Sequence, residues 1–262
     1  MGSPSDRELE LTSEPSALME QPIQAVMPDS HAIQHLENAL KDIYFVSGLG
    51  ADERVFRLLK FDGYQPVHIH WLAPQRGEPI AEYAKRLAAQ IKSERPTIVG
   101  LSFGGMIAVE IAKHMEVEQV ILISSAKTKF EIPFYFKLFR YLPIHRIFPF
   151  KSLLWAEYRL GYWLFSVQSP DERQLLRSIL QDTDAHFLKW ALHQVVTWGN
   201  ELIPDNLCHL HGSSDRVFPI RFVTPDLTVE QGGHLMILNR AAQVSTLLGQ
   251  IISPSSLPPV YR

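Results

Sequence analysis

The sequence predicts an α/β fold: a mostly parallel sheet of about six strands, helices on both faces, and one helical insertion. Three observations predict it. Short apolar runs alternate with helix-period stretches between residues 43 and 252. One long stretch, 130–200, breaks the alternation and reads as helical throughout, punctuated by Pro133, Pro143, Pro149 and Pro170. A serine flanked by glycines, Gly100-Leu-Ser102-Phe-Gly104, stands where an apolar run meets a helical one.

The strands follow from the apolar runs. IYFV (43–46), VHIHWL (67–72), TIVGL (97–101), QVILIS (119–124), NLCHLHG (206–212) and DLTVEQ (226–231) are each short, apolar and closed by turn residues. Helices are expected over 52–60, over 80–91 and over 104–115. In the second, apolar residues at 80, 83, 84, 87, 88 and 91 make one stripe. The third is apolar on nearly every face, which predicts deep burial. A last helix is expected from about His234 to Ile252, and a short one over 31–40. The resulting division is an N-terminal extension (1–40), a first core part (41–129), a helical cap (130–200), a second core part (201–252) and a tail (253–262). The extension is polar and carries Pro4, Pro15, Pro22 and Pro28, and the tail is SPSSLPPVYR, so both are expected to be flexible.

Composition excludes several classes. The 262 residues carry a net charge of −3, so no global field marks a nucleic-acid binder. Cys208 is the single cysteine, so no intrachain disulfide is available. No segment reaches the roughly 18 apolar residues needed to span a bilayer. The first residues lack a basic start followed by an apolar run, so a secretory signal is not expected and a cytoplasmic location is. No cofactor motif is present; His68 and His70 share a strand face, but no third metal ligand is placed with them.

The chemistry is read from Gly100-Leu-Ser102-Phe-Gly104. A sharp strand-to-helix turn lifts a serine hydroxyl clear of the sheet, and the close approach of strand and helix demands glycine at 100 and 104. The pattern by itself arises readily by chance; its place between strand 97–101 and helix 104–115 gives it weight. An acid and then a histidine follow in the order such a serine requires: HGSSD ends in Asp215, and GGHL carries His234. A neutral imidazole takes the Ser102 proton, and a carboxylate behind it fixes the tautomer. Glu131 and Asp226 are rival acids that fit the order less well. Developing negative charge needs two N–H donors. The Phe103 N–H is one; the loop Ser47-Gly48-Leu49-Gly50 offers the other, expected to be Leu49, with Gly48 and Gly50 shaping the turn.

On these residues the chain resembles the α/β-hydrolase superfamily over 43–252. GLGADERVF (48–56) and GLSFGGMIA (100–108) resemble a bacterial branch of it. The resemblance implies eight strands with the reacting groups on loops at their carboxyl ends, a Ser102–His234–Asp215 triad, and Leu49 and Phe103 as oxyanion donors. Two features depart from it: Ser47-Gly48 stands where many members have His-Gly, and the first two strands are not evident before residue 43.

The expected activity is hydrolysis of a carboxylic ester or thioester through an acyl-enzyme, without a cofactor. The alternatives are a lyase or ligand receptor on the same fold, or a thioesterase acting on a carrier. Residues 134–167 hold twelve aromatics and five Lys or Arg against one acid, Glu157. That composition suits an apolar substrate pocket, the insertion's own core, or contact with an anionic surface. The expected partner is a small acyl substrate with an apolar group, with no nucleic acid and no stable membrane insertion; an acyl carrier protein is the further candidate.

Overall fold

The computed structural model describes residues 40–136 and 158–253. The helix expected over 31–40, the N-terminal extension and the C-terminal tail fall almost wholly outside the described residues, as do Phe139, Tyr141, Phe148, Phe150 and Trp155.

Six strands, β1 Lys41–Val46, β2 Tyr64–Ile69, β3 Thr97–Leu101, β4 Gln119–Ile123, β5 Leu207–Gly212 and β6 Leu227–Val229, form one sheet in the order β2-β1-β3-β4-β5-β6. Every pairing is parallel. The expected six strands and parallel topology are therefore observed, two strands short of the eight the resemblance implied among the described residues.

Strand alternation explains why the runs are apolar throughout. Tyr44 and Val46 point to one face with Ile98, Val120 and Leu122; Ile43 and Phe45 point to the other with Val99, Ile121 and Ile123. Each face is covered. Helices α1 (Ile80–Ala88) and α2 (Phe103–Ala112) pack on the first, and α2 is buried from Phe103 to Ile111, as its nearly all-apolar sequence required. A short 3-10 turn (Glu53–Phe56) and the chain's last helices pack on the second.

The insertion between β4 and β5 is helical where described: α3 Tyr158–Leu164, α4 Pro170–Asp182 and α5 Ala185–Thr197. Ser169 and Asp184 cap α4 and α5 by accepting from the N–H of Glu172 and Phe187. Helix α5 is fixed to the sheet side by polar contacts as well as packing. Trp190 Nε1 donates to Glu78 O (2.8 Å), Ile80 N donates to Gln194 Oε1 (3.0 Å), and Trp198 Nε1 donates to the buried Glu110 carboxylate (2.8 Å). Phe187 and Trp190 pack among Trp71, Tyr83 and Phe103.

Three elements differ from expectation. Strand β2 covers 64–69 rather than 67–72, and Pro66 sits inside it opposite Ile43. An edge strand tolerates a residue without an N–H because it is paired on one side only. The strand ends at His70 because the Gln90 side chain takes both the His70 N–H and C=O. The helix expected over 52–60 is only the 3-10 turn, and the final helix is two: α6 Met236–Asn239 and α7 Ala241–Ile252, broken at Arg240 (φ −125°, ψ 24°).

Candidate active site

The strand order reverses between β1 and β3: the chain builds β2 on one side of β1, then crosses to lay β3 on the other. The carboxyl ends of these two strands therefore open a crevice, the usual place for a ligand in an open parallel sheet. Gly48-Leu49 leaves β1 there, and Ser102 leaves β3.

Ser102 holds a conformation open to few non-glycine residues, φ 53° and ψ −119°. Strain of this kind costs about 1–3 kcal/mol and persists only where the surroundings hold it. They do: Ser102 N donates to Ile123 O (2.9 Å), and Ser125 Oγ and Gly105 N both donate to Ser102 O (2.6 and 2.9 Å). The turn closes because β1 and α2 touch. A Cβ on Gly104 would stand 2.2 Å from Ser47 O, and one on Gly100 would stand 2.5 Å from Gly104 O. Gly48 is different: a Cβ there would meet nothing nearer than Ser102 Cβ at 3.5 Å, so space alone does not require glycine. Gly50 turns at φ +71°.

His234 and Asp215 arrive on two loops that are themselves bonded. Ser213 N donates to Val229 O and Ser214 N to Gly232 O (3.0 and 2.8 Å). The result is one hydrogen-bonded series. His234 Nε2 lies 2.9 Å from Ser102 Oγ, and His234 Nδ1 lies 2.8 Å from Asp215 Oδ2. Asp215 Oδ1 accepts from the Val217 and Phe218 N–H groups (2.8 and 2.9 Å), so both carboxylate oxygens are engaged in a buried setting. The structure thus brings together the three residues selected from their order in the chain. It directs the rival acids elsewhere. Glu131 accepts from Lys127 N and Thr224 N, and burial pushes its carboxyl up; Asp226 accepts from His209 N and pairs with Lys127.

Leu49, Phe103, Ser102 and His234 line one cavity of about 160 Å³, together with Gly48 and a shell of aliphatic and phenyl side chains. Among the described residues, neither the Leu49 nor the Phe103 N–H is spent on a hydrogen bond. The departure at Ser47 has a local consequence: Ser47 Oγ donates to Ala51 O (2.7 Å), which Trp71 Nε1 also reaches (2.9 Å). Thr183 Oγ1 donates to Gly50 O (2.7 Å), and Arg54 bridges Asp52 and Asp182, so the loop is tied to α4. Of the insertion's described aromatics, Phe136 and Phe165 reach the cavity, with the Phe165 ring 5.7 Å from His234; Phe134 and Trp163 are exposed.

Two residues behind Asp215 were not legible in the sequence. His211 Nε2, 3.6 Å from Asp215 Oδ2, lies 2.7 Å from Phe218 O, and His211 Nδ1 lies 3.1 Å from His209 Nε2. The carbonyl can only accept, so His211 carries its proton on Nε2, and His209 donates to His211 Nδ1. Burial lowers both imidazoles, His209 the further, so both are neutral at neutral pH. The sequence signal was a pair of histidines two apart on one strand, four residues before the acid. The other such pair, His68 and His70, does not behave alike: His68 stacks on Phe56, and His70 is exposed.

A parallel sheet whose third strand ends in a strained serine at a strand–helix turn, facing a histidine and an acid on later loops, defines the α/β-hydrolase fold. The chain belongs to the alpha/beta hydrolase family, whose model matches residues 43–247. Solved structures of that fold are similar to it. An esterase from Exiguobacterium antarcticum shares 19% identity, with TM-score 0.64 over 81% of this chain and 92% of its own. An enol-lactonase from Burkholderia xenovorans LB400 shares 16%, with TM-score 0.63 over 81% and 91%. A bromoperoxidase from Bacillus anthracis shares 15%, with TM-score 0.59 over 81% and 91%. Comparison with curated proteins gave no match. Family and fold together support a hydrolase. No helix among the described residues is long and apolar enough to cross a membrane.

Proposed function

We propose that this chain is a serine hydrolase that cleaves a carboxylic ester or thioester through an acyl-enzyme. The observation that carries the reading is the unbroken series Ser102 Oγ–His234–Asp215 opening into an apolar cavity. Ser102 Oγ attacks the carbonyl carbon while His234 Nε2 takes its proton; Asp215 holds Nδ1–H and stabilises the imidazolium. The tetrahedral oxyanion is met by the Leu49 and Phe103 N–H groups. Its collapse breaks the bond to the leaving alcohol or thiol, which receives the proton from His234. Water, deprotonated by the same imidazole, then releases the acid.

The cavity limits the acyl group. A dry apolar void of about this size accepts a molecule as large as benzene, which favours a short acyl chain or a single ring. The described parts of the insertion, 130–136 and 158–200, act as the cap, with Phe136 and Phe165 closing the pocket. Ser102→Ala is expected to abolish both short-chain ester turnover and labelling by a fluorophosphonate. Wild-type protein that neither labels nor turns over an ester or thioester sinks the proposal; labelling without turnover points to a ligand receptor on this fold.

A further inference from the structure

A second cavity lies beside the first, and its chemistry is opposite. It is an open groove of about 950 Å³, within the range of small-molecule sites. Four arginines face it: Arg159 from α3, Arg173 and Arg177 from α4, and Arg216 from the loop after β5. No acid lines it. In a chain of net charge −3 this is a marked local concentration.

Three of these exposed arginines rest on aromatic rings. Arg216 Nη1 donates to Trp163 O (2.7 Å), and its guanidinium lies 4.7 Å from the centre of the Trp163 ring. Arg173 and Arg177 both stand over the Tyr162 ring, at 5.3 and 5.6 Å. Arg159, Arg173 and Arg216 form no ion pair among the described residues. Two acids near the groove are engaged with other groups: Glu172 accepts from Gln168 N and Glu230 from Ser213 Oγ. Like charges gathered around two rings repel one another, and a bound polyanion relieves that repulsion.

Consecutive residues line the two cavities. Phe165 faces the apolar one and Ser166 the groove; Val217 faces the apolar one and Arg216 the groove. Asp215 immediately precedes Arg216, and Ser166 packs on Gly233, next to His234. The groove therefore flanks the His234 side of the site at a distance of one chain thickness. His234 is the side from which a leaving group takes its proton.

We propose that the groove binds the phosphate-bearing leaving half of the substrate, so that the substrate class is a short acyl thioester of a phosphorylated nucleotide thiol. Guanidinium forks match phosphate oxygens in pairs, and several fixed cations suit a ligand with more than one phosphate better than a single carboxylate. This rests on the hydrolase reading above. Attack of Ser102 Oγ on the thioester carbonyl forms the C–O bond of the acyl-enzyme and breaks the C–S bond, the thiolate takes the proton from His234, and water hydrolyses the acyl-serine to release the acid, so no further reactant is needed.

The test compares butyryl-coenzyme A with S-butyryl-N-acetylcysteamine, the same thioester without phosphates. Wild-type kcat/KM is expected to be at least tenfold higher for the coenzyme A ester, through KM, with the advantage shrinking as salt rises. The exposed pair R159Q/R173E is expected to bring the two substrates within twofold while leaving N-acetylcysteamine turnover unchanged. Equal values in wild type, or a preference that survives in the double variant, overturn the inference. Fluorophosphonate labelling of Ser102 without turnover of either thioester overturns the inference; if the wild type neither labels nor turns over any ester or thioester, the hydrolase reading is at fault, and binding of free coenzyme A to the Ser102→Ala protein decides the groove separately. A Kd weakened tenfold or more by R159Q/R173E supports it; no binding near about 1 mM, a bare 4 kcal/mol of affinity, or binding indifferent to the substitutions overturns it.

Discussion

Gly104→Ala places one methyl group where β1 meets α2. The new Cβ would stand 2.2 Å from Ser47 O and 2.3 Å from Val46 O. Both are backbone oxygens at the end of a central strand, so neither can swing aside as a side chain would. Restoring even the shortest contact real Cβ atoms make, 3.0 Å, requires the strand end and the helix to part by the difference from 2.2 Å, close to 1 Å. Overpacking a tight contact typically costs about 1–3 kcal/mol, or very roughly 2–12 °C in midpoint for a domain of this size. The same displacement separates Leu49, on β1's loop, from Ser102 and Phe103 at the start of α2. A misplacement of about 1 Å between reacting groups and their donors costs on the order of a hundredfold in rate. Gly48→Ala is the control, since its Cβ would meet ordinary contacts of 3.5 Å or more. Thermal unfolding by circular dichroism and the rate of fluorophosphonate labelling are measured on both. A Gly104→Ala protein with wild-type midpoint and labelling rate, or a Gly48→Ala protein as damaged as Gly104→Ala, would refute the reasoning.

Three other outcomes are expected. Asp215→Asn keeps the Val217 and Phe218 N–H contacts but presents an N–H to His234 Nδ1; turnover should fall by about 10⁴-fold through the wrong tautomer, and a loss under tenfold would deny Asp215 its role. The folded-state pKa of His209 is depressed by burial, so unfolding takes up a proton below the unfolded value of about 6.5; stability is full above that pH and declines as pH falls through it. Between pH 7.5 and 5.5 this amounts to about 1 kcal/mol, and the urea midpoints of His209→Gln should show a correspondingly weaker drop than wild type; an identical drop contradicts it. Trp198→Phe leaves one oxygen of the buried Glu110 carboxylate without its donor; the expected loss is about 1–3 kcal/mol by chemical denaturation, and an unchanged midpoint would show that the bond contributes nothing.

Local sequence carried much of the architecture because strands and helices declare themselves by period. The runs at 43–46, 97–101 and 119–124 are strands within a residue or two, and the nearly all-apolar 104–115 stretch became the buried α2. Ser102, Asp215 and His234 were selected from a strained-turn motif and an order, and they stand within hydrogen-bonding distance in series. Boundaries were less legible where a distant partner sets them. Strand β2 begins before Pro66 because β1 supplies its register, and it ends at His70 because Gln90 takes over the backbone groups.

The sequence by itself determined the fold class and which residues compete for the site, since both follow from period, glycine spacing and chain order. Only the tertiary structure decided among the competitors. Glu131 and Asp226 are committed elsewhere: Glu131 to the N–H groups of Lys127 and Thr224, and Asp226 to His209 N and the Lys127 ammonium. His209 and His211 gain their fixed tautomers from the Phe218 carbonyl, which belongs to the loop beyond Asp215. The arginine groove joins two insertion helices to the loop beside Asp215. The contacts of Glu131 with Thr224, of Asp226 with Lys127 and of the insertion helices with the loop beside Asp215 join segments far apart in the chain, and no local pattern of residues records them.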